Sequence, residues 1–199
     1  LKDACKSLRY LTISGGSLSA VDQTKLRDVL DHVDFYKTYG QTETFRSAML
    51  MPDEFRRKSA TIGRPPAGVQ VAIIRPDGTR AAPGEVGEII HFGVGTMKGY
   101  FGLPEGANGL RKAPDWLETK NEPIVFTGDR GALDEDGYLT ISGRMDRMLK
   151  IRGNRVYPEE VEAQLLCLPN VSEAVVVAGD APDTLKAVLR HSSATAPTN

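Results

Sequence analysis

The apolar positions of the chain change their spacing twice, and the three stretches so marked predict different structure. "LRYLTI" (8–13) reads as a short buried strand. "SGGSLS" (14–19) reads as a turn, with Ser19 placed to cap a helix over roughly 20–31, where Leu26, Val29 and Leu30 share one apolar side. "VDFYKT" (33–38) predicts the next strand. Strand, helix and strand at this spacing predict a parallel α/β unit, the end of a larger sheet.

From about Gly63 the pattern becomes β. "VQVAII" (69–74) and "GEIIHF" (87–92) predict strands joined through "RPDGTRAAPGEV", with a turn at Asp77-Gly78. "PIVFTGD" (123–129) and "GYLTISG" (137–143) predict two more, and "LDEDG" (133–137) is a polar turn between them. Leu103–Glu122 lacks periodicity and predicts a surface loop with a small helix at most.

The third stretch starts near Arg144. "RMLKI" (147–151) and "RVY" (155–157) flank "RGN", which predicts a hairpin. Pro158 suits a first helical turn because its missing N–H would be unpaired there. Glu159 and Glu160 complement the positive helix end, Val161, Leu165 and Leu168 recur at helical spacing, and Pro169 stops the run. "SEAVVVAG" (172–179) predicts a buried strand, and the small polar residues after Asp180 predict disorder over 181–199.

Composition narrows this little. The 199 residues suffice for one large domain or two small ones. A formal net charge of -1 gives no reason to expect nucleic acid or an anionic membrane as partner. No apolar run approaches the ~18 residues of a membrane span. Cys5 and Cys167 are far apart and make no metal-ligand spacing; two ordinary buried thiols suit a reducing cytoplasm. No signal peptide is readable. Leu1, rather than Met, opens the chain inside running structure, so the expectation is a piece of something longer.

Four polar segments follow apolar runs: "SGGS" (14–17), "YGQTE" (39–43), "TGDRG" (127–131) and "GRMDRMLKIRGNR" (143–155). Loops at strand ends of α/β proteins are where ligands bind. Singly, these segments are as readily a turn, a buried Tyr beside a surface Glu, a capping Asp and a solvated hairpin face. In this order and spacing they resemble the adenylate-forming superfamily of acyl-CoA synthetases, luciferases and peptide-synthetase adenylation domains. That family's motifs read as a glycine pair, Y-G-x-T-E, G-R-P, [ST]-G-D, and G-R-x-D-x-x-K-x-x-G-x-R with P-x-E-[VI]-E after it. Here they stand as Gly15-Gly16, Tyr39 to Glu43, Gly63-Arg64-Pro65, Thr127-Gly128-Asp129, and Gly143 to Arg155 followed by Pro158, Glu160, Val161 and Glu162. "GEVGEIIHFGVGTMKGYFGLPE" (84–105) matches a further family stretch, and the likeness covers about residues 8–179.

The resemblance implies an α/β fold with three parts. Residues 1–62 would end a large parallel-sheet domain, 63–143 would form its distorted β-barrel subdomain, and 144–180 would begin a small α+β C-terminal domain. It implies an ATP-dependent ligase that joins a carboxylic acid to AMP, releases pyrophosphate and passes the acyl group to a thiol. CoA is the leading acceptor, favoured by "YPEEVE" (157–162). A fatty-acyl-AMP ligase, a carrier-protein-loading domain and a non-catalytic nucleotide-binding piece are the alternatives.

The implied roles fit the residue types. Tyr39 offers a flat face to adenine and Gly40 lets backbone approach closely. Thr42 offers a hydroxyl to a phosphate oxygen, and Glu43 a hard oxygen ligand to Mg²⁺. Asp129 would accept from both ribose hydroxyls, with Arg144 on the ribose or phosphate side. Gly15 and Gly16 would bring backbone near the adenine and acyl chain. Asp146 matches the family's hinge, and Lys150, Gly153 and Arg155 would face the site in the thioester-forming pose, Gly153 leaving room for a pantetheine thiol. The family's Ser/Thr/Gly-rich phosphate loop and its C-terminal catalytic lysine have no match, and Lys186 fits no motif; weak or absent adenylation by this chain alone is the expectation.

Overall fold

A computed structural model describes residues 3–16, 18, 20–104, 110–118 and 124–191. The chain divides into two compact units, Leu1–Ile141 and Ser142–Asn199.

The first unit opens with the expected parallel pair. Strand β1 (Tyr10–Ile13) leads to helix α1 (Ala20–Val29) and strand β2 (Asp34–Tyr39), and β1 runs parallel to β2 with Ile13 opposite Lys37. β1 is half-exposed rather than buried. The proposed cap at Ser19 lies outside the described residues.

Two elements next to this pair were not foreseen, and a third, a two-residue strand at Leu110–Arg111, lies in the stretch expected to be a surface loop. Strand β3 (Ala48–Leu50) returns antiparallel to β2, and helix α2 (Pro52–Lys58) follows at once. Pro52 starts α2, Asp53 and Glu54 sit in its first turn and Arg56, Arg57 and Lys58 in its last, each complementing the local helix charge. Leu30, Val33, Phe35, Leu50, Phe55 and Tyr138 form the core between these elements. The buried Lys37 donates its ammonium to the carbonyl of Ser59, the C-cap of α2, and lies 5.5 Å over the Phe55 ring. Burial pushes its pKa below the ordinary lysine value.

The β region is a curled, five-stranded sheet. It comprises β4 (Val69–Ile74), β5 (Gly87–Gly93), β6 (Leu110–Arg111), β7 (Ile124–Leu133) and β8 (Leu139–Arg144). The order is β4-β5-β7-β6, and β8 also pairs with β7. Both faces are covered, which is why its strands read as continuous apolar runs. Val71, Ile73 and Ile89 pack with Ala48 and Leu139 on one face; Ala72, Ile74, Ile90, Phe92 and Ile124 pack with Trp116 on the other. Single bridges, Met49 to Arg64 and Gly63 to Leu139, join this sheet to β3.

His91 on β5 is fully buried between Val71 and Val125, and neither ring nitrogen has a hydrogen-bond partner among the described residues. Burial holds its pKa below the ordinary histidine value; the Val94 backbone offsets part of this without reaching hydrogen-bond geometry. A depressed histidine pKa means that the unfolded chain takes up its proton first as pH falls, so folding stability declines from the ordinary histidine range downward. Urea melts should lose midpoint between pH 7 and the depressed value, and His91→Phe should remove that slope; a slope unchanged in the variant would assign it elsewhere.

In the second unit, β9 (Leu149–Ile151) and β10 (Asn154–Val156) form the expected hairpin, and α3 (Pro158–Leu165) starts at Pro158. Arg152 and Gly153 both have positive φ, at 49° and 81°, as a two-residue turn between Ile151 and Asn154 requires. Arg147 ties this unit together, pairing with Glu159 and Glu162 of α3 at 2.9 Å each. β11 (Val171–Ala178) buries chiefly Val176 rather than its whole length. The tail expected to be disordered from 181 is instead strand β12 (Leu185–His191), antiparallel to β11. Backbone pairing orders it although its side chains stay exposed; 192–199 lie outside the described residues. The cysteines also differ from expectation, since Cys167 is exposed and Cys5 only half-buried.

Candidate functional site

Tyr39 is the last residue of β2, and Y-G-Q-T-E-T lies in the loop of the β2–β3 hairpin. The loop closes on itself. Thr44 and Phe45 donate backbone N–H groups to the Gln41 carbonyl at 3.1 and 2.8 Å. The fully buried Thr44 hydroxyl accepts from the Gln41 N–H and from Ser47 Oγ, at 3.0 Å each. Gly40 is required sterically, because a Cβ there would sit 2.0 Å from the Phe45 carbonyl oxygen. This folding leaves Thr42 exposed and Glu43 half-buried.

Gly15 and Gly16 follow β1. Because β1 and β2 are parallel and Ile13 pairs with Lys37, the glycine pair and the Tyr39–Gly40 step leave the same end of the sheet. Both glycines are exposed, with open space where a Cβ would point.

Thr127-Gly128-Asp129 does not end a strand, as the sequence suggested, but interrupts one. Between the pairs Ile90–Phe126 and Glu88–Arg130, β5 advances two residues while β7 advances four. A bulge of this kind re-aims side chains. Gly128 takes φ 71°, the Thr127 hydroxyl donates to the Ile89 carbonyl at 2.8 Å and accepts the Asp129 N–H at 3.1 Å, and the Gly128 N–H reaches Glu88 Oε1 at 3.1 Å.

The re-aimed Asp129, only 7% exposed, meets the hairpin loop. Tyr39 Oη donates to Asp129 Oδ2 at 2.6 Å and Gln41 Nε2 donates to the same oxygen at 2.7 Å. Gln41 Nε2 also donates to the Thr127 carbonyl at 2.9 Å. Residues some 90 positions apart thus share one cluster.

The segment after β5 supplies a third wall. Met97 N–H donates to the Glu43 carbonyl at 2.9 Å, and Tyr100 Oη donates to Glu43 Oε1 at 2.7 Å. The Glu43 carboxylate raises the Tyr100 pKa, since a phenolate would face it. Among the described residues no group of three or more His, Cys, Asp or Glu side chains could hold a metal ion, and Glu43 offers one carboxylate. One hard oxygen beside an exposed hydroxyl suits a Mg²⁺ whose remaining ligands are phosphate oxygens and water.

The other expected residues lie on the second unit. The exposed Arg144 guanidinium donates to both oxygens of Asp146 at 3.0 Å, which holds the Asp146 carboxyl below its ordinary pKa. Lys150 and Arg155 pair directly across β9 and β10 and are exposed, with Gly153 in the turn between them.

Gln41 and Tyr100 were not anticipated as site residues. Gln41 occupies the open position of Y-G-x-T-E, and Tyr100 lies in a motif stretch to which the sequence attached no role. Their contacts cross 88 and 57 positions.

Residues 1–101 match the family described as "AMP-binding enzyme". The chain is 40% identical over 146 residues to 2-succinylbenzoate–CoA ligase of Geobacillus kaustophilus, covering 72% of this chain and 28% of that protein. It is 34% identical over 178 residues to the fatty acid–[acyl-carrier-protein] ligase ScoC of Streptomyces coeruleorubidus, covering 86% and 32%. Among solved structures it resembles o-succinylbenzoate CoA synthetase (MenE) of Bacillus subtilis. Against MenE bound to the acyl-adenylate intermediate the TM-score is 0.74 at 29% identity, over 92% of this chain and 36% of that one. Against MenE bound to ATP and magnesium ion it is 0.73 at 31% identity, covering 92% and 37%. The chain therefore spans about a third of the length of these relatives.

Proposed function

Because the chain belongs to the AMP-binding enzyme family, we propose that it forms part of a ligase that activates a carboxylic acid with ATP and transfers it to a thiol. In the first step a carboxylate oxygen attacks the α-phosphorus, the bond to pyrophosphate breaks, and acyl-AMP forms. In the second a thiolate attacks the acyl carbonyl and AMP leaves. The observation that carries this reading is the convergence of Tyr39, Gln41 and Asp129 from the β2–β3 loop and the β7 bulge.

Asp129 accepts from the ribose hydroxyls, and the Tyr39 ring packs against adenine beside the glycine pair. Thr42 donates its exposed hydroxyl to a phosphate oxygen, where negative charge builds during adenylation. Glu43, held by Tyr100, is the carboxylate that would hold Mg²⁺. The metal neutralises phosphate charge when bound. For the residues of the second unit the family resemblance would assign Arg144 the role of a cation for ribose or phosphate, Asp146 that of the hinge, and Lys150, Gly153 and Arg155 a part in the thiol-transfer step.

CoA is the proposed acceptor. A carrier protein is the second reading, favoured by the likeness to a carrier-protein ligase. Calorimetric titration of the chain with AMP and with ATP and Mg²⁺ tests nucleotide binding, and binding of neither would refute the reading. Pyrophosphate release with a panel of acids, followed by supply of CoA or a carrier protein, reports the chemistry and the acceptor. Among the described residues no helix is long and apolar enough to cross a membrane.

A further inference from the structure

We infer that Gln41 is a positioning residue: its side-chain amide holds the Asp129 carboxylate in the orientation that tells ribose from deoxyribose. The inference rests on the nucleotide reading above and extends it to a position the family motif leaves open.

The geometry identifies the amide unambiguously. Asp129 Oδ2 and the Thr127 carbonyl, at 2.7 and 2.9 Å, can only accept, so the atom facing both is the nitrogen, and its two hydrogens match two acceptors. With both engaged, the Gln41 side chain has no rotational freedom left at its amide. It bridges the strand backbone on one side of the bulge to the carboxylate on the other. Gln41 is itself fixed, because its N–H donates to buried Thr44 and its carbonyl accepts from Thr44 and Phe45. The restraint on Asp129 therefore runs from the loop's own closure.

A bulge needs such a restraint. The extra residues in β7 lack ladder partners on β5, and Gly128 permits backbone states closed to other residues. Tyr39 Oη reaches the same oxygen at 2.6 Å, and Gln41 touches both the carboxylate and the bulge backbone. Two donors on Oδ2 fix which edge of the carboxylate turns toward a ligand, and a ribose with two adjacent hydroxyls is the ligand part that depends on that orientation.

The test compares AMP with 2′-deoxy-AMP by calorimetry on the full 199-residue chain. Wild type should prefer AMP. Gln41→Met keeps the side-chain length without donors, and the preference should fall on the order of tenfold, the worth of one hydrogen bond to a charged group. Loss of folding alone would weaken both ligands together and leave the ratio unmoved. Gln41→Glu, of the same size but with carboxylate facing carboxylate, should lower the ratio as well and serves if the methionine variant folds poorly. An unchanged ratio in a folded variant overturns the positioning role and leaves the nucleotide reading standing. Equal binding of AMP and 2′-deoxy-AMP by wild type overturns the Asp129–ribose contact and this inference with it. No binding of either overturns the nucleotide reading itself.

Discussion

Asp129→Asn should weaken AMP binding by roughly 10- to 100-fold while the chain stays folded, the range expected when hydrogen bonds to a charged group worth about 1.5–3 kcal/mol are lost. The carboxylate is nearly buried and held by two donors on one oxygen. Asparagine keeps the shape but replaces one acceptor with a donor. Tyr39 Oη and Gln41 Nε2 would then compete with the sugar hydroxyls for a single carbonyl oxygen. The charge that strengthens each contact is also gone. Calorimetry gives the affinity and a thermal melt confirms folding; affinity within about twofold of wild type would show that Asp129 does not face the nucleotide.

Glu54→Ala should cost about 2–4 kcal/mol of stability, because removing one member of a buried network strands its partners. Glu54 on α2 accepts the Tyr138 hydroxyl at 2.5 Å and pairs with Arg64 at 2.7 Å. The Tyr138 ring lies under two cations, Lys58 at 4.4 Å and Arg64 at 4.8 Å. Alanine leaves the buried hydroxyl unpaired and lets Arg64, which bridges to Met49, relax outward. The Tyr138 hydroxyl bond is the main reason that the Glu54 pKa lies below the ordinary carboxylate value. A depressed folded pKa means stabilisation that is present above the unfolded value and lost as pH falls through the folded one. Urea unfolding measures the shift: a lower midpoint at unchanged slope is expected, Glu54→Gln should lose less than alanine, and an unchanged midpoint would show that the network adds nothing. Because β3 carries the site hairpin back from its loop, losing this anchor should also weaken AMP binding.

What could be read from the sequence depended on the range of the interactions. β4, β5 and the α1 unit were readable because burial on one or both faces writes itself into local apolar spacing. β3 was not, being three residues long, and α2 hid behind Met51 and Pro52 although its acidic start and basic end were visible in Asp53, Glu54, Arg56, Arg57 and Lys58. β12 reads as tail because its side chains are all exposed; the alternation Leu185, Ala187, Leu189 is present, but pairing with β11 is what orders it. At the site, the motif segments could be picked out by residue type. The bulge that turns Asp129 toward Tyr39 could not, because it arises from register between β5 and β7. Gln41 and Tyr100 escaped for the same reason: each acts on a residue far away in the chain.

On the proposed function, the β2–β3 loop and the β7 bulge form one nucleotide site. An amide NMR titration of the chain with AMP tests it most directly. Shifts that rise together, with one affinity, at Gly40–Thr44 and at Thr127–Asp129 are the predicted result. Shifts confined to one of these segments, or to neither, would contradict it.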